Sequence, residues 1–371
     1  MKADIIIIGG GLIGCAVAAE LATHKLHVRL FERGQLGREA SWAAAGMLAP
    51  QTEAENAGHF FELCSRSRDS YSSYVAGLRE LTGLDPCYRT EGALQLALNE
   101  SSAQVMEHNY NWQFSAGLPI ERLKGEDVRK LAPAVSSSVT TALFFPREHQ
   151  IDNRKLTECV ISAGERRGVE FRAGALVTNI IIESGVVRGV IANGERHEAA
   201  KVINAAGSWA SLFAAGPLRL PMLTPVRGQM LALKLPAGRL NHVLHYEDVY
   251  LVPRWDGTIL VGSTTEQVGY DQRVTAAALQ RLLKQAQIAL PELADATFIN
   301  AWAGLRPATY DGLPLLGEHK ELPGLLFATG HYRNGILLAP ITATLIAESV
   351  LCGHDVATLA PFTPSRFALA G

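Results

Sequence analysis

The stretch DIIIIGGGLIGCAVAAEL, residues 4–21, limits what this chain can fold into more than any other. Its apolar run after Lys2 imitates an export signal. However, Asp4 precedes the run, three glycines interrupt it, and no cleavage region follows. The stretch divides instead into a short β-branched strand over 5–8, buried on both faces, and a helix of alanines and aliphatics over 12–21. Gly9, Gly11 and Gly14 occupy the turn at G-x-G-x-x-G spacing. Between a strand and a helix, that spacing is a phosphate grip. Gly9 permits the tight turn, Gly11 lets a pyrophosphate approach the backbone, and Gly14 lets helix pack on strand. The first helical amides, at Leu12 and Ile13, add free donors and the positive end of the helix dipole. A second strand over 27–31 ends at Glu32, followed by Arg33. An acid roughly twenty residues beyond the glycines is placed to accept adenosine ribose hydroxyls. NAD and FAD satisfy this pattern equally.

The rest of the sequence excludes several classes. A chain of 371 residues predicts two domains. With 19% charged residues and a net charge of −2, it offers no nucleic-acid surface and no polybasic membrane patch. Cys15, Cys64, Cys87, Cys159 and Cys352 are odd in number and never at C-x-x-C spacing. That argues against a disulfide framework or zinc site and predicts a reducing cytoplasm. The 11 histidines form no H-E-x-x-H pair, so no metal is expected, and no G-x-S-x-G elbow recommends hydrolysis. Residues 335–352, GILLAPITATLIAESVLC, are long and apolar enough to imitate a membrane helix. Pro340, Thr342, Thr344 and Glu348 favour a buried helix instead.

Helices are predicted over 60–84, 101–116, in GEDVRKLAP, from Asn153 to a C-terminal Gly168, and over 275–290. Residues 87–98 predict a hairpin turning at Glu91-Gly92. A strand, meander and return strand are expected over 169–206, with turns at ESG and NGE. KVINAAGSWA then closes a buried strand and starts a helix. Strands follow over 228–263, 297–302 and 325–329. Nucleotide signals at both ends and in the middle predict an α/β cofactor domain, discontinuous over 1–85, 141–225 and 297–371. A mostly antiparallel substrate domain would occupy 86–140 and 226–296.

The motifs GGGLIG, SWAAAGML, NAAGSWA, YLVPR, WAGLRPATYDGLPLLG and GHYRNGILLAP together resemble the flavin-dependent D-amino acid oxidase superfamily, and within it the glycine oxidases of thiamine biosynthesis. The resemblance runs from about residue 4 to about residue 350. It implies a Rossmann-like FAD domain, FAD rather than NAD, and two-electron oxidation of an amino acid C–N bond with O2 giving H2O2. It also implies that Ala40, Ser41, Ala45, Gly46 and Met47 pass beside the flavin. His331, Tyr332, Arg333, Asn334, Gly335, Ile336 and Leu337 would line it, with Gly207 and Gly330 at the cofactor and the Val177 backbone over the adenine. A homotetramer is implied in the same way.

The residue types have their own logic. A flavin becomes anionic when reduced, and a helix starting near Asn334-Gly335 would stabilise that charge. An α-amino acid carboxylate needs a fork of donors. Arg306 clamps it bidentately and Tyr250 adds its phenol, while Arg333 matches a third pocket position in the family. With the carboxylate pinned and the amine neutral, the hydride of Cα passes to flavin N5 without a general acid or base, and positioning supplies the rate. The imine hydrolyses to an oxoacid, glyoxylate when glycine is the substrate. Asp248, where some relatives carry histidine, either attracts the substrate ammonium or faces solvent. A sarcosine or D-amino acid oxidase, a quinone-linked dehydrogenase and a non-catalytic flavin scaffold are the competing readings. Cys352 lies too near the end of the last helix to attach a flavin, and the intact fork disfavours the scaffold.

Overall fold

The computed structural model describes residues 3–54, 56–213, 221–236 and 238–367. The isoleucine run forms the strand Ala3–Ile8, buried at every position except Asp4. It lies inside a sheet ordered Leu315–Glu318, Leu325–Thr329, Glu195–Asn204, Ala3–Ile8, Val28–Glu32, Glu170–Ala173. All neighbours run parallel except the first pair. The far half of Glu195–Asn204 pairs antiparallel with Val186–Ala192, which pairs with Val177–Glu183. The turns of this meander are Ser184-Gly185 and Asn193-Gly194, both residues of each with positive φ. That backbone matches the right-handed twist of a two-residue hairpin.

Four helices cover one face of the parallel sheet. Leu12–Thr23, His59–Thr82, Asn153–Arg166 and Gly335–Cys352 pack on one another around a common apolar core. The first is apolar around most of its circumference because most of it is buried, Glu20 and Thr23 excepted. Asp152 caps the third, accepting the amides of Arg154 and Lys155 at 3.0 and 3.2 Å. Gly335–Cys352 has the length and hydropathy of a membrane span, yet most of it is buried within this layer.

The second sheet has the order Thr297–Ala308, Thr224–Lys234, Thr258–Gly262, Val249–Pro253, Val243–Tyr246, Ala93–Ala97, Thr141–Phe145, Glu121–Lys124. It is antiparallel except between Val243–Tyr246 and Ala93–Ala97. Ala276–Ala289 covers its outer face, and the short helix Ala40–Ala43 meets its inner face beside Trp302.

Three expectations need correction. Residues 87–98 are not a hairpin: Gly92, at φ +87°, leads into a single strand, and Arg89 upstream is held by Glu91 and by the carbonyls of Asn241 and Pro253. The strand predicted at 297–302 continues to Ala308 and is paired throughout with Thr224–Lys234, so it belongs to the antiparallel sheet. Thr141–Phe145 does as well. Finally, the helix expected after Ala206 is only the 3-10 turn Gly207–Leu212.

Candidate active site

A cavity of about 500 Å³ opens where the carboxyl ends of the parallel strands face the inner side of the antiparallel sheet. Crevices at that end of a parallel sheet are where such folds bind ligands. At one wall Gly9 has φ +106°, and a methyl there would lie 2.5 Å from the Ala205 carbonyl oxygen. A methyl on Gly14 would collide with the Gly9 carbonyl, so helix and strand touch only because both residues are glycine. Gly11 begins the helix with an open side toward the cavity, and Ile13 lines it. Ser41 Oγ accepts the Leu12 amide at 2.9 Å, which sets a hydroxyl at the positive helix end. Buried Glu32 accepts the Gly10 and Gly34 amides at 2.7 and 2.8 Å and presents its carboxylate to the cavity. Arg33 pairs with Glu39 at 2.6 Å and lies 3.7 Å over the Trp209 ring.

Small residues build the next wall. Ala40, Ser41, Ala45, Gly46 and Met47 all line the cavity. Gly46 has φ +79°, and a methyl there would strike the Ile151 carbonyl. Opposite, residues 331–336 line the cavity with the start of Gly335–Cys352. His331 is buried and its Nε2 meets Thr342 Oγ1 at 3.0 Å; burial pulls its pKa down to about 3. Tyr332, at φ +48°, is held by its amide on the Pro307 carbonyl. Val177 and Gly207 also line the cavity. Leu12, Gly14, Gly330 and Leu337 stand behind the lining: Leu12 and Leu337 are core residues, and a methyl on Gly330 would meet Thr309.

The antiparallel sheet contributes the proposed carboxylate fork. Tyr250 and Arg306 both reach the cavity, as does Arg333. Arg306 donates from Nη1 to the Thr264 carbonyl at 3.1 Å and from Nη2 to Ser263 Oγ at 2.5 Å. Arg333 is more exposed and donates to Thr265 Oγ1 at 2.8 Å. Asp248 faces away, paired with Arg281 at 3.3 Å and accepting from Gln285 at 2.8 Å. Glu53 lines the cavity together with Glu32 and Glu39. It opens onto the cavity but is enclosed by protein, and burial pushes its carboxyl up against the charges of Arg333 and Arg306 and a hydrogen bond from Asn334.

The family model for FAD dependent oxidoreductases matches residues 4–349. The chain belongs to that family. Among curated members of the FAD dependent oxidoreductases, the glycine oxidase of Geobacillus kaustophilus is 33% identical over 98% of this chain and 97% of its own. The bifunctional protein ThiO/ThiG of Synechocystis sp. is 38% identical over 98% of this chain. The chain spans only 54% of that protein, about half the length of the bifunctional relatives it matches. The crystal structure of the Geobacillus kaustophilus glycine oxidase superposes with a TM-score of 0.93, covering 98% of this chain and 99% of that one. An iminodiacetate oxidase from Chelativorans sp. BNC1 superposes with a TM-score of 0.88 at 26% identity, over 97% and 98% of the two chains.

FAD is the cofactor of this family, and the cavity suits it. A side chain at Gly9, Gly10 or Gly14 would collide with its neighbours, two helix N-termini point inward, and an acid stands at the end of the second strand. Glu53, Gly228, Gly262 and Gly304 are cavity or sheet residues that the sequence alone did not single out. A glycine inside a strand pattern marks close approach of another group, and that signal was present in RGQM, LVGS and WAGL.

Proposed function

We propose that this chain oxidises glycine, and small relatives such as sarcosine or D-alanine, at the bond between Cα and nitrogen. With water hydrolysing the imine, the products would be glyoxylate or the matching oxoacid, ammonia (methylamine from sarcosine), and H2O2 from O2. When bound, FAD supplies the two-electron acceptor for the hydride of Cα. Gly9, Gly11 and Ser41 would hold its pyrophosphate, with Gly14 behind them keeping helix against strand, and Glu32 its ribose. The 40–47 segment and residues 331–336 would flank the ring, with the amides of Asn334 and Gly335 facing its negative charge.

The observation that carries the proposal is the shared cavity: Arg306 and Tyr250 open into the space that the dinucleotide grip lines. Arg306 keeps three of its five N–H donors after serving Ser263 and Thr264, enough for a carboxylate. Tyr250 adds a phenol, and Glu53 lines the same cavity. His331, which lines the cavity, is not suited to proton transfer at neutral pH. His331 is held neutral and engaged with Thr342, and burial pulls His245 down to about 4. Positioning is left as the source of rate.

Three further proposals accompany this one. The parallel sheet with its helices is the FAD domain, and the antiparallel sheet the substrate domain. The likeness to ThiO/ThiG proteins supports a supply of oxidised glycine for thiazole formation in thiamine biosynthesis. A tetramer in the cytoplasm is expected, and five free cysteines suit a reducing compartment. The test is anaerobic addition of glycine to the FAD-loaded protein. Bleaching of the oxidised flavin, reversed by air with release of H2O2, is the expected result. Bleaching by sarcosine or D-alanine but not glycine would reassign the substrate; no bleaching by any of them would overturn the reading.

A further inference from the structure

Two glycines lie beneath the proposed carboxylate fork. Gly228 stands inside the strand Thr224–Lys234 and Gly262 ends the strand Thr258–Gly262, where its peptide bond to Ser263 is cis; neither has positive φ. Glycine weakens a strand interior, so its presence at Gly228 needs another cause. The cause is the fork. Arg306 pairs with Val226, and Gly228 is two residues further along the same face. The guanidinium crosses the sheet to lie on that residue, and a Cβ built on Gly228 would be 2.5 Å from Arg306 Cζ. Tyr250 pairs directly with Gly262, and a Cβ there would be 2.6 Å from Cε2, Cζ and Oη of the phenol. Nonbonded carbon atoms settle at about 3.5–4.0 Å, so either methyl would lift its partner by about 1 Å or more. Next to Gly262, buried Ser263 accepts Arg306 Nη2 at 2.5 Å and fixes the guanidinium within its plane.

We propose that Gly228, Gly262 and Ser263 are positioning residues that seat Arg306 and Tyr250 flat on the sheet and so set the depth at which a substrate carboxylate is held. This rests on the assignment of Arg306 and Tyr250 to the carboxylate. A misplacement of about 1 Å costs on the order of a hundredfold where geometry supplies the rate. The seat therefore governs binding and turnover without touching substrate.

The experiment uses the FAD-loaded protein and acetate, which carries the carboxylate without the amine. Acetate is titrated into the wild type, Gly228→Ala and Ser263→Ala, following the flavin absorbance. KM and kcat for glycine are measured beside it. Tenfold or greater weakening of acetate by Gly228→Ala is expected, with a parallel rise in KM and full flavin content, and a severalfold weakening by Ser263→Ala. In an Arg306→Lys background, Gly228→Ala should cost less than threefold, because an ammonium has no planar head to displace. A merely structural glycine would lower flavin content or melting temperature and leave acetate affinity of the loaded protein unchanged, and that result overturns the proposal. If Gly228→Ala does not fold, Ser263→Ala decides: unaltered acetate affinity overturns it. Failure of the functional reading looks different, since neither acetate nor glycine would then move the wild-type flavin spectrum.

Discussion

Glu148 is the residue through which pH should act on the stability of this fold. It is only 1% exposed, and its carboxylate accepts the amides of Gln51 and Thr52 at 2.6 and 2.8 Å and the Thr52 hydroxyl at 2.9 Å. Burial nevertheless pushes its carboxyl up from 4.5 to about 7, over the opposing effect of those hydrogen bonds and of Arg68. The folded protein therefore keeps this proton to higher pH than the unfolded chain does. The contribution is whole below pH 4.5 and is lost as pH rises through about 7. At about 1.4 kcal/mol per pH unit, that interval amounts to about 3 kcal/mol. Glu148→Gln preserves the size and removes the titration. Urea unfolding of both proteins between pH 5 and 8.5 gives the difference in stability. The wild type should lose most of that amount relative to the variant as pH rises. His149, His245 and His331 are lowered by burial and act in the opposite sense, weakening the fold as pH falls below 6.5. They are present in both proteins and cancel in the difference. A flat difference, or one in which the wild type gains with pH, would refute the argument.

Arg306→Ala should leave FAD bound and raise KM for glycine by the equivalent of about 2–5 kcal/mol, which is thirtyfold or more. Flavin content and steady-state kinetics check this, and unaltered glycine binding would remove Arg306 from the carboxylate. Tyr71→Phe strips the hydrogen bond from the buried Ile336 carbonyl and should cost about 1–3 kcal/mol in urea unfolding. Asp248→Asn breaks a half-exposed pair with Arg281 outside the cavity. It should change stability by no more than about 1 kcal/mol and leave KM for glycine where it was, while a large KM increase would return Asp248 to the amine.

The legible parts of this protein are those whose chemistry is local. Gly9, Gly11, Gly14 and Glu32 declare a dinucleotide grip because strand, turn, helix and acid are close in sequence, and the meander turns declare themselves through Asn193-Gly194. The start of Gly335–Cys352 at the cavity followed from GHYRNGILLAP. What was missed depends on partners far along the chain. Gly228 has meaning only through Arg306 and Gly262 only through Tyr250. Glu53 gains meaning only from the charges of Arg333 and Arg306, which are remote in sequence. That Thr297–Ala308 joins the antiparallel sheet is illegible for the same reason, since a strand pattern does not name its neighbour.

The central sheet also fixes when this protein can come into being. Ala3–Ile8 is flanked by Val28–Glu32 on one edge, which leaves the ribosome almost at once, and by Glu195–Asn204 on the other. At about 5–20 residues per second, the second edge waits roughly ten to forty seconds for its partner. Leu325–Thr329 and the helix after it, which complete the cavity, come later still. Until then the isoleucine strand carries an open edge, and the cavity is complete only once the last of these elements is made.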